Sequence, residues 1–342
     1  FLFSNSYSNR HDYDEWFYKV CNQCNSKIII IPSKKRIEFT NLKYIRFWRH
    51  WKNELKKVVG AKKSYYYSAA LLDAYVDFVN IIYLLNINKI KRVVTLCDCH
   101  TVDLMVTEYC NNNNIQTATL EHGYYREKEA FTLSESNYFL GYGENMKKMA
   151  LHLGFPKQKF VIVGMPQLID VTLPTVVKKN NNKVIGVILN GADLIDEDIW
   201  LIEVAKQFAH KNHYKVFVKQ HPGYGSTYYP NGLFAGVDKV FLSNTSSFEF
   251  GKMVDFSILT SSTVFVQYLM YLLPVFVGKS VTHLYDSEEW CRFNDVSQLQ
   301  EKMNGLYSKD LKYQSDMLGA RLNYSEVNNV KDNYYRFFNS TL

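Results

Sequence analysis

Two segments of this chain combine residue types that bind phosphate. Lys219-Gln220-His221-Pro222-Gly223 sets a cation and an imidazole beside a chain stop, and Thr260-Ser261-Ser262-Thr263 sets hydroxyls in a row. Both directly follow apolar runs that read as strands. Ligands of α/β sheets bind outside the carboxyl ends of strands. Pro222 fixes φ and ends its strand, and Gly223 permits close approach. Lys219 and His221 can offset anionic charge. Backbone N–H groups where a helix starts after Thr260 favour an anion as well. One hydroxyl would be explained as a helix cap; three in a row, at Ser261, Ser262 and Thr263, exceed that need.

Proton transfer has its own candidates. Leu120-Glu121-His122-Gly123-Tyr124-Tyr125 follows the strand Gln116–Leu120. Glu121 or His122 can take a proton from an attacking hydroxyl, the imidazole because it titrates near neutrality and the carboxylate if desolvated. Cys97-Asp98-Cys99-His100-Thr101 ends the preceding strand, so sheet neighbours place Asp98 and His100 beside them. Val163-Gly164-Met165-Pro166 ends a later strand and reads as a cleft segment or a tight turn. Asn190-Gly191-Ala192 occupies a strand-to-helix turn, yet it is no G-x-G-x-x-G fingerprint, and no Walker loop, nucleophile elbow or H-E-x-x-H is present.

The elements that must position these residues alternate. Strands are expected at 27–31, 92–96, Gln116–Leu120, Tyr138–Gly141 and 160–163, with helices at 42–58, 65–85, 102–111 and 144–153. After the Pro- and Asn-containing stretch 171–183 the pattern restarts, with strands at 184–189, 214–219, 240–242, 256–260 and 274–278. Helices are expected at 196–210 and 263–272. Strands separated by helices argue for parallel sheets. The fold class is therefore α/β, with two doubly wound Rossmann-like domains expected to face each other across a cleft. The divisions are 1–170, a linker at 171–183, 184–322, and an amphipathic C-terminal helix within 323–342 that packs back on the first domain.

Composition narrows the class. With 342 residues and 47% hydrophobic content the chain can bury two cores. A formal charge of +7 suits anionic substrates or an anionic membrane surface and does not by itself indicate nucleic acid, which is not expected as a partner. Cys21-x-x-Cys24 lacks a second ligand pair, so no metal is expected. Six cysteines in such a long chain argue for free thiols in a reducing cytoplasm. No signal peptide and no spanning run of apolar residues is read. The chain begins without Met, so an upstream segment is expected. The segment 42–58 carries Arg46, Arg49, Lys52, Lys56 and Lys57 around Trp48 and Trp51. It reads first as a solvated helix face, and second as a peripheral contact with the inner face of the cell membrane.

The order E-H-G, V-G-M-P, K-Q-H-P, then S-S-T with a buried helix and P-V-F resembles bacterial GT-B glycosyltransferases over 92–278. The groups it is most similar to use CMP-activated acidic sugars (sialic acid, polysialic acid, Kdo) or are CDP-glycerol glycerophosphotransferases of teichoic acid synthesis. The resemblance implies a metal-independent, inverting transferase of bacterial surface polysaccharide synthesis, acting on a nucleotide-activated, cytidine-linked donor and a glycan or lipid-linked glycan acceptor. It implies no separate cofactor. His221 would hold the donor with Lys219 and Pro222; Ser261, Ser262 and Thr263 would bind its phosphate, and Gly191 and Gln267 would line the same site. Glu121, His122 and Asp98 would be catalytic, and His100, Tyr124 and Arg126 would meet the acceptor. Two positions depart from the pattern: His122 replaces a second carboxylate, and Gln267 stands where many such enzymes carry a ribose-binding Glu. Alternatives of the same architecture are a UDP-sugar transferase and a nucleotide-sugar 2-epimerase. A non-enzymatic binding module is the reading of a different class.

Overall fold

The computed structural model describes residues 2–4, 12–22, 29–31, 74, 77–78, 80–96, 101–122, 134–191, 194–221, 229–242, 245–282, 285, 287–309 and 311–339. The chain divides into two compact units. The first comprises Phe1–Tyr142, Met146–Ile169 and Asn328–Leu342; the second comprises Gly143–Asn145 and Asp170–Val327. Among the described residues each unit holds one six-stranded sheet, and every strand pairing is parallel.

In the first unit the strands are β1 (Leu2–Ser4), β2 (Ile29–Ile31), β3 (Arg92–Thr95), β4 (Gln116–Leu120), β5 (Tyr138–Gly141) and β6 (Phe160–Ile162), in the order β2-β1-β3-β4-β5-β6. The order reverses between β1 and β3, so their carboxyl ends form a switch point. Strands β3 and β4 are buried on both faces, as parallel sheets require. Helices α1 (Asp12–Cys21), α2 (Thr101–Asn112) and α3 (Glu144–His152) separate the strands in sequence. Val106 and Cys110 of α2 pack with Leu2, Val93 and the helical residues Ile81 and Leu85; Phe139, Met146, Ala150, Phe155 and Phe160 form a second cluster.

In the second unit β7 (Val184–Ile188), β8 (Lys215–Lys219), β9 (Lys239–Phe241), β10 (Phe256–Leu259), β11 (Val275–Gly278) and β12 (Arg292–Phe293) run in the order β12-β11-β10-β7-β8-β9. This is the Rossmann order, with its switch point between β7 and β10. The helices are α4 (Ile195–Asn212), α5 (Ser247–Met253), α6 (Val264–Met270), α7 (Val296–Tyr307) and α8 (Lys312–Tyr324). Alternation along a strand sends successive side chains to opposite faces. Phe256 meets Phe208 of α4 at 5.5 Å between ring centroids. A Cβ on Gly186, whose partner in β10 is Ser257, would lie 2.8 Å from the Phe250 ring of α5. Helices α4 and α5 therefore cover opposite faces, which makes the sheet doubly wound.

The segment 171–183, read from composition as a linker, is built into this second unit. Asn180 Nδ2 donates to the carbonyls of Lys252 (3.2 Å) and Val254 (2.6 Å). The backbone N–H groups of Asn182 and Val184 donate to the buried Asp255 carboxylate at 2.9 and 2.6 Å. Arg321 donates to the Pro174 carbonyl at 2.8 Å. An Asn run looks like linker composition, but amides are also what backbone carbonyls and N–H groups outside a ladder need.

The last helix, α9 (Val330–Asn339), belongs to the first unit. Arg92 of β3 donates to the Phe337 carbonyl and lies over the Phe337 ring, 4.6 Å from its centroid. Tyr334 donates its hydroxyl to the Gly164 carbonyl at 3.1 Å. Val163, Met165 and Pro166 are buried, so Val163–Pro166 is a packed turn under α9.

Replacing Asp255 by Ala leaves the N–H groups of Asn182 and Val184 without their acceptor. A cost of about 2–4 kcal/mol follows. Chemical denaturation should show a lowered midpoint with an unchanged slope; an unchanged midpoint contradicts the anchoring of 171–183.

Candidate functional site

The chemistry-bearing residues of the second unit meet at the carboxyl edge of its sheet. Strand β7 leads to Asn190 and Gly191, β8 to Gln220 and His221, β10 to Thr260–Thr263, and β11 to Ser280–Thr282. Lys219 pairs with Ile188 on one side and Phe241 on the other. The ladder continues one residue further, since Gln220 N–H donates to the Phe241 carbonyl at 3.0 Å. Lys219 is 2% exposed. Its only side-chain hydrogen bond among the described residues is from Nζ to the Gln220 carbonyl, at 3.1 Å, and no carboxylate there pairs with it. Burial lowers its pKa to about 8. A buried cation with one neutral partner at a strand end is a group prepared for an anion. His221 follows it, half-buried. Pro222 lies outside the described residues.

The switch point between β7 and β10 is organised by the first turn of α4, which carries Asp196, Glu197 and Asp198. Asp198 is fully buried. It accepts the N–H of Asn190 (2.8 Å), the side-chain amide of Asn190 (3.0 Å) and the N–H of Gly191 (3.0 Å). Gly191 sits at φ 106°, a conformation that glycine adopts without strain. Burial raises the Asp198 pKa to about 6; the N–H groups of Asn190 and Gly191 and the Asn190 amide pull it down, and the Glu197 charge raises it. Gly191 was expected to line the donor site through its backbone. Its N–H is already donated to Asp198, so Gly191 shapes the turn and offers no free donor.

Ser261, Ser262 and Thr263 divide into two roles. The Ser261 hydroxyl lies 2.6 Å from those of both Ser280 and Thr282 and 3.4 Å from Glu197 Oε2, and its N–H donates to Asn190 Oδ1 at 3.2 Å. It is part of the scaffold. Ser262 Oγ accepts from the Val264 N–H at 3.3 Å, leaving its own proton to donate, and Thr263 is exposed at the start of α6. Gln267 lies a turn further along α6, half-buried, with its carbonyl accepting the Tyr271 N–H at 3.2 Å.

In the first unit Glu121 and His122 end β4. Glu121 is 4% exposed and accepts the Tyr142 N–H at 2.6 Å, closing the β4–β5 ladder with a side chain. Burial pushes its carboxyl well above the usual carboxylate range, and the Tyr142 N–H offsets this only in part. The Tyr334 phenol, buried close enough to feel the Glu121 charge, is raised by burial first and by that charge second. Burial that disfavours its charged form, with a carboxylate oxygen already engaged by the Tyr142 N–H, suits Glu121 to a positioning role. His122, half-buried, is the exposed member of the pair. Asp98, His100, Tyr124 and Arg126 lie outside the described residues, as do 42–58 with its basic face. Among the described residues no group of three or more His, Cys, Asp or Glu is placed to hold a metal ion, and no helix is long and apolar enough to cross a membrane.

Sequence reasoning named Asn190 and Thr260 only within their segments and did not single out Glu197, Asp198, Ser280 or Thr282. The signals were present: an acidic triplet one turn after a strand end, and hydroxyls flanking Val281 after β11. Their convergence depends on the β12-β11-β10-β7 order, which a one-dimensional pattern does not carry.

Asp198 gives a pH test. Its folded pKa, about 6, lies above the 3.8 of an unperturbed aspartate, so its stability contribution is present below pH 3.8 and is lost as pH rises through 6. Between pH 4 and 6.5 the wild type should lose roughly 3 kcal/mol relative to Asp198→Asn. Parallel stability curves for the two proteins contradict this placement of the carboxyl.

No family model matches the sequence, and no curated protein matches it. Solved structures do resemble the fold. Anabaena HepE in complex with UDP superposes with a TM-score of 0.61 at 8% identity, covering 98% of both chains. The UDP-GlcNAc 2-epimerase of Neisseria meningitidis bound to UDP-GlcNAc gives 0.58 at 10% identity over 98% of this chain and 99% of that one. The lipopolysaccharide outer core galactosyltransferase WaaB gives 0.57 at 11% identity over 100% and 99%. Two Rossmann-like units with parallel sheets, matched along the whole chain to these structures, make this a GT-B fold.

Proposed function

We propose that the protein is a nucleotide-sugar-dependent glycosyltransferase of bacterial surface polysaccharide synthesis. The observation that carries this reading is the carboxyl edge of the second sheet. There Lys219, buried and with no carboxylate partner among the described residues, ends β8 and is followed two residues on by half-buried His221, beside the hydroxyl-bearing Ser262–Thr263 turn after β10. The solved structures that resemble this fold include complexes with UDP and with UDP-GlcNAc. That puts a uridine donor ahead of the cytidine donor suggested by the motif order.

On this reading the acceptor hydroxyl gives its proton to His122. Its oxygen attacks the anomeric carbon of the donor as the bond from that carbon to the phosphate oxygen breaks. The electron pair leaves with the nucleotide, and the single displacement inverts configuration. Lys219, His221 and the donors of Ser262 and Thr263 offset the charge that develops on the leaving phosphate. Glu121, buried, holds the end of β5 by accepting the Tyr142 N–H. No cofactor beyond the donor is invoked. The acceptor is a glycan or a lipid-linked glycan, reached from the cytoplasm, with 42–58 as the segment that would touch the membrane.

A second reading is a nucleotide-sugar 2-epimerase. It is favoured by the likeness to the UDP-GlcNAc 2-epimerases of Neisseria meningitidis and Methanocaldococcus jannaschii. Incubation with UDP-sugars separates the two. Nucleotide release that depends on an acceptor supports transfer, and an isomerised nucleotide sugar formed without acceptor supports epimerisation.

Lys219→Met separates binding from folding. The folded pKa of Lys219, about 8, lies below the 10.5 of an unperturbed lysine, so its stability contribution is present above pH 10.5 and is lost as pH falls through 8. At pH 7 the variant should be at least as stable as wild type, while nucleotide affinity falls about tenfold or more. His122→Ala should keep the affinity and lower turnover by about 10²–10⁴. Full nucleotide affinity in Lys219→Met, measured by calorimetry, contradicts the donor assignment.

A further inference from the structure

Glu197 is 9% exposed and lies at the second position of the acidic first turn of α4. Its two oxygens serve two different strands. Oε2 accepts the Thr260 hydroxyl and, at 3.4 Å, the Ser261 hydroxyl, both at the end of β10. Oε1 accepts the Ser280 hydroxyl at 2.7 Å and the Val281 N–H at 2.8 Å, both after β11. The hydroxyls are also joined to one another. Ser261 meets Ser280 and Thr282, Ser280 meets Thr282 at 2.8 Å, and the Thr282 N–H donates to Ser280 Oγ at 3.0 Å. Asn190 Nδ2 donates to Thr260 Oγ1 at 2.6 Å and adds the end of β7.

A carboxylate is an acceptor on both oxygens, so every hydroxyl that meets it must turn its proton inward. The Val281 N–H cannot turn at all, which fixes Oε1 as an acceptor. The consequence is a single orientation for the Ser261 backbone and hence for Ser262 and Thr263, which follow it. The same bond sets Val281 at the edge with its side chain 75% exposed.

We propose that Glu197 is the positioning residue of the donor site. It joins the turn after β10 and the turn after β11 into one rigid edge, and so fixes where Ser262 and Thr263 present their donors. This rests on the reading of that edge as a nucleotide site. In Glu197→Gln the amide oxygen can stay on Val281, but the NH₂ group then faces the two hydroxyls that donated to Oε2. Those hydroxyls must reverse, accept from the NH₂ group and give their protons elsewhere, which weakens the β10 side of the lock while side-chain volume is kept.

The test measures UDP binding by calorimetry and amide hydrogen exchange across 260–264 and 279–283, in wild type, Glu197→Gln, Ser262→Ala and the double variant. The expected result is a melting temperature near that of wild type in Glu197→Gln, UDP affinity lower by about tenfold, and faster exchange in both segments together. The double variant should bind no more weakly than the weaker single variant, because both act through the same turn. UDP affinity within twofold of wild type, additive losses, or exchange that changes in neither segment overturns the proposal. If wild type binds no UDP, the nucleotide reading fails, and exchange alone decides the positioning role: coupled loss upholds it and unchanged exchange overturns it.

Discussion

Two adjacent buried carboxylates hold together the end of the second sheet. A buried charge is costly unless its hydrogen-bonding capacity is met. Glu197 and Asp198 meet theirs with donors from three strand ends and with no cation. Asp198 takes the N–H groups of Asn190 and Gly191 after β7, and Glu197 takes Thr260 and Ser261 after β10 and Ser280 and Val281 after β11. The helix start also favours negative charge electrostatically. The arrangement at the β7–β10 switch point follows from satisfying these two groups. The positive-φ turn at Gly191, the direction of the Ser261 hydroxyl and the course of 280–282 are consequences.

This constraint gives the sheet edge a polarity. Around α4 the edge is anionic and its hydroxyls are engaged. On the β8 side it carries Lys219, its ammonium buried and held by one carbonyl, with His221 two residues further on. Negative charge in a ligand belongs on the Lys219 side. Hydroxyl groups in a ligand suit the side of Ser280 and Thr282. A molecule with phosphate at one part and a sugar at another fits that gradient, and a simple anion uses only half of it.

Much of the architecture was legible. The alternation of β-branched runs with helical spacing gave β3 to β6 and β7 to β11 within a residue or two, because buried parallel strands are continuously apolar. Strands β1 and β12 were not legible, since runs of three and two residues carry no period. The apolar start at 1–3 is too short to read as a leader and was assigned to no element, yet Leu2–Ser4 lies at the switch point of the first sheet. In the site, the hydroxyl run and Lys219-Gln220-His221 stood out because their residue types are unusual after a strand. What did not stand out was which of them were free. Ser261 and Gly191 are occupied by Glu197 and Asp198, whose sequence signature is that of an ordinary acidic helix start. Glu121 likewise reads as an exposed carboxylate beside His122, but one more turn of the ladder buries it against Tyr142.

The structure of the protein with a uridine nucleotide bound is the most direct measurement. Phosphate oxygens within hydrogen-bonding distance of Lys219 Nζ and of the Ser262–Thr263 turn are the predicted result. Phosphate bound by the first unit, or a nucleotide seated on the second unit away from both groups, contradicts the assignment of that edge as the donor site.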